Sequence, residues 1–110
     1  MEVACRKEKN TVIVSVTGRM DALCSMDFEK ILDEQIAAGE TRFILDLSGL
    51  EYISSAGLQC VLTTAKKLEP RQGDLILAAL KGTVKEVFEI SGFSSIFTIA
   101  ESVDSALAGT

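Results

Sequence analysis

The sequence predicts an α/β fold: about five strands in a mostly parallel sheet, with about four helices. Three observations carry this. The opening seventeen residues read as two strands with no helical period. After them, amphipathic helical stretches alternate with short apolar runs, the pattern of crossover units joining parallel strands. Two of those runs, 42–47 and 74–80, are nearly continuously apolar, as expected of strands covered on both faces.

Residues 2–9 alternate Val3 and Cys5 with charged neighbours and suit an edge strand, whose charges discourage stray pairing. Asn10 is the turn residue. Residues 11–17 are rich in Val, Ile and Thr and form the second strand of a hairpin. Gly18-Arg19-Met20-Asp21 ends that strand. A helix is expected from about Ser25, which would cap it. Asp27 and Glu29 complement its dipole, and Phe28, Ile31, Leu32 and Ile36 lie on one face. Gly39 stops it.

The strand at 42–47 is interrupted by Asp46, read as a hydrogen-bonded carboxylate at the strand end, and is expected to break at Ser48-Gly49. A helix over 56–68 follows. Its stripe of Leu58, Val61, Leu62, Ala65 and Leu68 has core spacing, and Pro70 ends it. Arg71-Gln72-Gly73 is a turn into the strand at 74–80. A shorter helix opens at Gly82-Thr83 with Val84, Val87 and Phe88 on one side and Gly92 at its end. Residues 95–99 form a last strand, and 102–108 a last helix with Val103, Ala106 and Leu107 facing the core. The chain of 110 residues has no internal repeat or linker and is expected to be one domain, 1–110.

Composition narrows function. The net charge is −5, with nine acids before residue 51 and seven from it onward, and Lys66-Lys67 is a lone basic doublet. Nucleic acid is therefore not expected as a partner, since phosphate binding needs a basic stripe. No apolar run is long enough for a membrane span, and the first residues lack the pattern of an export signal, so no membrane insertion and a cytoplasmic location are expected. There is no His, and the three cysteines, Cys5, Cys24 and Cys60, form no ligand spacing. A zinc site and a Cys–His pair are excluded, and the commonest general base is missing. Each Cys is expected to be a small buried hydrophobe. The protein reads as a non-enzyme without cofactor or metal.

The stretch to explain is Ser54-Ser55-Ala56-Gly57, at the start of the central helix. As a cap, one serine satisfies an orphan N–H, worth about 1 kcal/mol. As a nucleophile, a serine needs a base and an orienting group, and the chain has no His and no glycine-flanked elbow. As a nucleotide loop it lacks the required glycine and lysine pattern. As a phosphorylation site it is physically permitted. A helix N-terminus tolerates the added charge of about −1.5 to −2, whereas a partner packed on it does not. Elementary chemistry leaves the cap and the switch both open.

Three separated motifs resemble the STAS family, the sulfate transporter and anti-sigma factor antagonist domains. Asp46-Leu47-Ser48-Gly49-Leu50-Glu51-Tyr52-Ile53-Ser54-Ser55-Ala56-Gly57-Leu58 is similar to its signature of strand, Asp-Leu-Ser, an apolar residue, Asp-Ser-Ser/Thr-Gly-Leu and helix. Gly18-Arg19-Met20-Asp21 is similar to its Gly-x-Leu/Phe-Asp turn. The segment from Val84 through Phe88 and Gly92 to Phe93 is similar to its Val-x-x-x-Phe-x-x-x-Gly-Leu/Phe segment.

The resemblance implies the STAS fold and the role of a single-domain bacterial anti-sigma factor antagonist. Such proteins, unphosphorylated, bind an anti-sigma factor that is a serine kinase with a histidine-kinase-like ATPase fold. Phosphorylation releases them, and a metal-dependent serine phosphatase resets them. By position, Ser55 is the phosphorylated residue and Ser54 a less favoured target. Ser54 stands where the family has Asp, and Ala56 where it has a second Ser or Thr. Asp21, Ser54, Ser55, Ala56, Gly57 and Gln59 become the partner-binding residues, with Thr63 and Lys66 further along the helix. Asp21 has an equal claim as a helix cap. The rival reading is an unmodified STAS subunit of a lipid-trafficking transporter complex. A nucleotide sensor is disfavoured by the missing phosphate loop.

Overall fold

A computed structural model describes residues 1–109. Nine main elements follow one another: β1 (Glu2–Glu8), β2 (Thr11–Met20), α1 (Ala22–Ala37), β3 (Arg42–Ile53), α2 (Ser55–Leu68), β4 (Asp74–Ala78), α3 (Gly82–Ile90), β5 (Thr98–Ala100) and α4 (Val103–Ala108). The strands form one sheet in the order β1-β2-β3-β4-β5. β1 runs antiparallel to β2, and every other pair is parallel. This is the expected α/β fold.

The β1–β2 hairpin turns on Lys9 and Asn10, both left-handed at φ 51° and 63°, with Glu8 opposite Thr11. Two left-handed residues make the turn whose twist matches the flanking strands. From β2 onward each strand is followed by a crossover to its neighbour. Right-handed crossovers that always step the same way put their helices on one face. Accordingly Phe28 and Leu32 of α1, Val61 and Leu68 of α2, and Val84 and Phe88 of α3 share a core with Val12, Val14, Phe43, Leu45 and Leu77 of the sheet. α4 lies on the other face, where Ala106 and Leu107 cover Ile13, Ile44 and Ala78. β3 is thus buried on both sides, which explains its nearly continuous apolar run from Phe43 to Leu47 around Asp46. No helix among the described residues is long and apolar enough to cross a membrane.

Several expectations are corrected. β2 does not end at Gly18; it runs to Met20, and the glycine, at φ +100°, sits at a shift in register between Gly18 and Arg19. β3 does not break at Ser48-Gly49 but continues to Ile53. Gly49 is there for close approach, because a Cβ on it would stand 3.0 Å from Thr17 Oγ1 across the pair. β4 stops at Ala78, since Ala79 turns left-handed at φ 61°. Residues 93–95 form a turn of 3₁₀ helix, so the last strand is only Thr98–Ala100. Phe97 stays buried there, its ring centroid 6.0 Å from that of Phe93.

Two of the three cysteines also differ from expectation. Cys60 is buried, and burial pushes its thiol up to about 12. Cys5 is exposed on the edge strand, and Cys24 is half-buried near the start of α1. Asp46 behaves as read. Its carboxylate accepts from Ser15 Oγ at 3.4 Å and from the Ser48 N–H at 3.1 Å.

Candidate functional site

The carboxyl ends of β2 and β3 lie side by side, with Met20 opposite Ile53. Each strand passes directly into a helix, so α1 and α2 begin together at one edge of the sheet. The two turns are tied by a hydrogen bond from the Ser54 N–H to the Met20 carbonyl, 2.9 Å. In open α/β sheets this edge is where ligands and partners are met.

Asp21 opens α1. Its Oδ1 accepts from the Cys24 N–H at 2.8 Å, which makes Asp21 the cap in place of Ser25. That bond holds the Asp21 carboxyl below its ordinary value, and the same carboxylate pushes the Cys24 thiol up. Ser25 lies buried inside the helix and donates to the Ala22 carbonyl at 2.7 Å. Asp21 takes the cap because β2 runs on to Met20 and leaves Asp21 in extended backbone just before the first helical turn, with Ser25 already inside the helix.

Ser54 opens α2 in the same way. Its Oγ accepts from the Gly57 N–H at 3.1 Å, and its carbonyl accepts from Leu58 N at 3.0 Å. Ser55 is the first helical residue, one later than Ser54 and one earlier than the expected start. It is exposed, and its hydroxyl makes no hydrogen bond among the described residues. The serine pair is therefore divided: one hydroxyl serves the fold, and the other points to solvent. Ala56 is exposed beside it. Gly57 is buried, and a Cβ there would come within 2.7 Å of Ile53 Cγ1 and 2.9 Å of Met20 Sδ. Glycine is thus required for α2 to seat on the strand ends.

The α2 face is rotated from the expected stripe. Gly57, Cys60, Val61, Thr64 and Leu68 are its buried residues, while Leu58, Leu62 and Ala65 pack at the flank. The cause is α1, which packs alongside α2 and shields Cys60 and Thr64. The Thr64 hydroxyl is satisfied by the Cys60 carbonyl at 2.9 Å. Gln59 and Lys66 are exposed as expected, and Thr63 is half-buried.

Two residues near the site were not found from the sequence. Leu23 and Met26, on the first turns of α1, are 77% and 68% exposed. Met26 lines a groove between α1 and α2 with Ala22, Glu29, Ala56, Gln59 and Thr63. Leu23 precedes the helix expected from Ser25, and Met26 lies off its core face; only the packed structure shows that Met26 lies beside Ala56. Among the described residues, no group of three or more Cys, Asp or Glu side chains could hold a metal ion.

The family profile for the STAS domain matches residues 2–106. BtrV of Bordetella bronchiseptica, named as a candidate anti-sigma factor antagonist, is 44% identical over 108 residues, covering 98% of this chain and 93% of its own. A crystal structure of a candidate anti-sigma factor antagonist from Thermotoga maritima superposes with a TM-score of 0.92 at 20% identity, covering 97% of this chain and 92% of that one. The Bacillus cell fate determinant SpoIIAA in its phosphorylated form superposes with a TM-score of 0.78 at 22% identity, covering 97% of each chain. Sheet order, the two capped helix starts and these likenesses agree, and the chain belongs to the STAS domain family, alongside relatives named as anti-sigma factor antagonists.

Proposed function

We propose that this protein is a cytoplasmic partner-switching antagonist, a binding module without chemistry of its own. Unphosphorylated, it binds a kinase-type anti-sigma factor through Asp21, Ser54, Ser55, Ala56 and Gln59; Gly57, expected among these, is buried and serves instead to seat α2 on the strand ends. That kinase, of histidine-kinase-like ATPase fold, phosphorylates Ser55 and lets go, and a metal-dependent serine phosphatase restores the hydroxyl. The observation that carries the reading is the division of the serine pair. Ser54 is occupied by the Gly57 N–H, and Ser55 is exposed and unbonded at the helix start. A relative whose structure is known in a phosphorylated form supports the same kind of modification here.

The release step follows from where the phosphate would sit. The helix N-terminus accommodates a charge of about −1.5 to −2, so the fold survives. A partner covering Ala56 and the exposed Leu23 and Met26 would instead have to desolvate that charge. A loss of about 3 kcal/mol weakens the complex more than a hundredfold.

The test is a pair of baits in lysate of the native host, wild type and Ser55→Asp, with bound proteins identified by mass spectrometry. A kinase-fold protein held by the wild type and lost by the variant is the expected result. Transporter subunits held equally by both would overturn the switch in favour of a structural STAS subunit.

A further inference from the structure

We propose that Arg19, seated on Tyr52, is a fixed cationic contact for a carboxylate on the anti-sigma factor, and so a determinant of which kinase the protein accepts. The proposal rests on the partner-switching reading and adds a residue pair to it. Arg19 and Tyr52 face each other across the β2–β3 pair. The guanidinium carbon lies 4.4 Å from the centroid of the Tyr52 ring. They stand one register step before Met20 and Ile53, after which Asp21 and Ser54 open the two helices. The pair is therefore on the rim of the site.

Arg19 differs from the other three arginines of the chain. Arg6 pairs with Glu8, Arg42 with Asp74, and Arg71 donates to the Ile36 carbonyl at 3.0 Å. Arg19 is exposed and, among the described residues, has neither an ion pair nor a hydrogen bond. Acids are near in sequence: Asp21 is two residues on and Glu51 adjoins Tyr52. Neither bonds it, and the Asp21 carboxylate is held by the Cys24 N–H. The ring fixes one face of the guanidinium and leaves its N–H edges free. A flat, preoriented fork of donors fits a carboxylate in bidentate fashion at little entropic cost. On a protein with net charge −5, a single immobilised cation at the docking rim also rejects partners that bring a basic residue to that point.

The two rim charges then form a short code. Arg19 asks for an acid, and Asp21, two residues on, asks for a base or an N–H donor. A kinase surface carrying both in the matching order is accepted.

The experiment uses the kinase-fold protein captured by the wild-type bait, purified, with affinities measured by calorimetry at low and high salt. Arg19→Glu is expected to bind at least roughly tenfold more weakly at low salt, with the loss shrinking at high salt. Arg19→Lys falls between, because it keeps the charge and loses the fork. Tyr52→Ala weakens binding by removing the seat of the cation, and Tyr52→Phe, whose ring still holds it, weakens binding less than Tyr52→Ala. Circular dichroism checks that each variant is folded. Arg19→Glu within twofold of wild type, or a loss that salt does not change, overturns the proposal while leaving partner switching intact. A wild type that binds no kinase overturns both.

Discussion

Replacing Gly57 by Ala puts one methyl group where two strand ends and a helix start meet. The added Cβ would lie 2.7 Å from Ile53 Cγ1 and 2.9 Å from Met20 Sδ. Ordinary carbon contacts are about 3.5–4.0 Å, so Ile53 must yield by about 1 Å or α2 must lift. Met20 is fully buried, so its thioether turns aside only by disturbing its core neighbours. Ile53 cannot move easily either: Cγ1 is close to the β3 backbone, and the residue is only 4% exposed. Overpacking of this kind costs about 1–3 kcal/mol. Lifting α2 would also stretch the 3.1 Å bond from Gly57 N–H to Ser54 Oγ. Against this, Ala gains at most about 1 kcal/mol of helix propensity over Gly. The net expectation is a loss of about 0–2 kcal/mol, centred near 1, read as a lower urea midpoint with an unchanged slope. The cost should be smaller in a Met20→Ala background, where one of the two obstructing side chains is cut back. A Gly57→Ala protein more stable than wild type would refute the claim that close approach, and not chain flexibility, puts glycine there.

Further outcomes follow from the caps and from Ala79. Ser54→Ala should cost about 1 kcal/mol by removing the α2 cap, while Ser55→Ala should stay within about 0.5 kcal/mol of wild type in the same urea titration. Equal losses would contradict the division of the pair. Asp21 has a folded-state carboxyl held below its ordinary value, chiefly by the Cys24 N–H. Its contribution is therefore present above the unfolded value of about 4 and is lost as pH falls through the lower folded value. The stability difference between wild type and Asp21→Ala should be constant near neutrality and shrink below about pH 4, measured by thermal melts across pH. Ala79→Gly, at φ 61°, relieves a left-handed alanine and should raise stability by about 0.5–1 kcal/mol; a loss would mean that the strain is not there.

The layout of strands and helices was legible because burial on two faces leaves a plain mark: 42–47 and 74–80 are nearly continuously apolar, broken only by Arg42, Asp46 and Asp74, and both are interior strands. What misled was glycine and serine at β2, β3 and α1. Gly18 and Gly49 look like strand ends in a sequence, yet one accompanies a register shift and the other lets Thr17 approach across the pair. Ser25 has the composition of a cap, but which of Asp21 and Ser25 takes that role depends on where β2 stops, and the register shifts set that. At the site, the position of Ser55 came from the resemblance; cap chemistry alone did not separate it from Ser54. The exposed Leu23 and Met26 and the seat of Arg19 on Tyr52 depend on how α1 meets α2 and how β2 meets β3, contacts between segments about thirty residues apart that no local pattern encodes.

The central claim is that one hydroxyl carries the switch. It is tested most directly by incubating wild type, Ser54→Ala and Ser55→Ala with the purified captured kinase and Mg-ATP, then mapping the modified residue by peptide mass spectrometry. The account predicts one phosphate, on Ser55, in wild type and in Ser54→Ala, and none in Ser55→Ala. Phosphate on Ser54, or undiminished phosphorylation of Ser55→Ala, would contradict it.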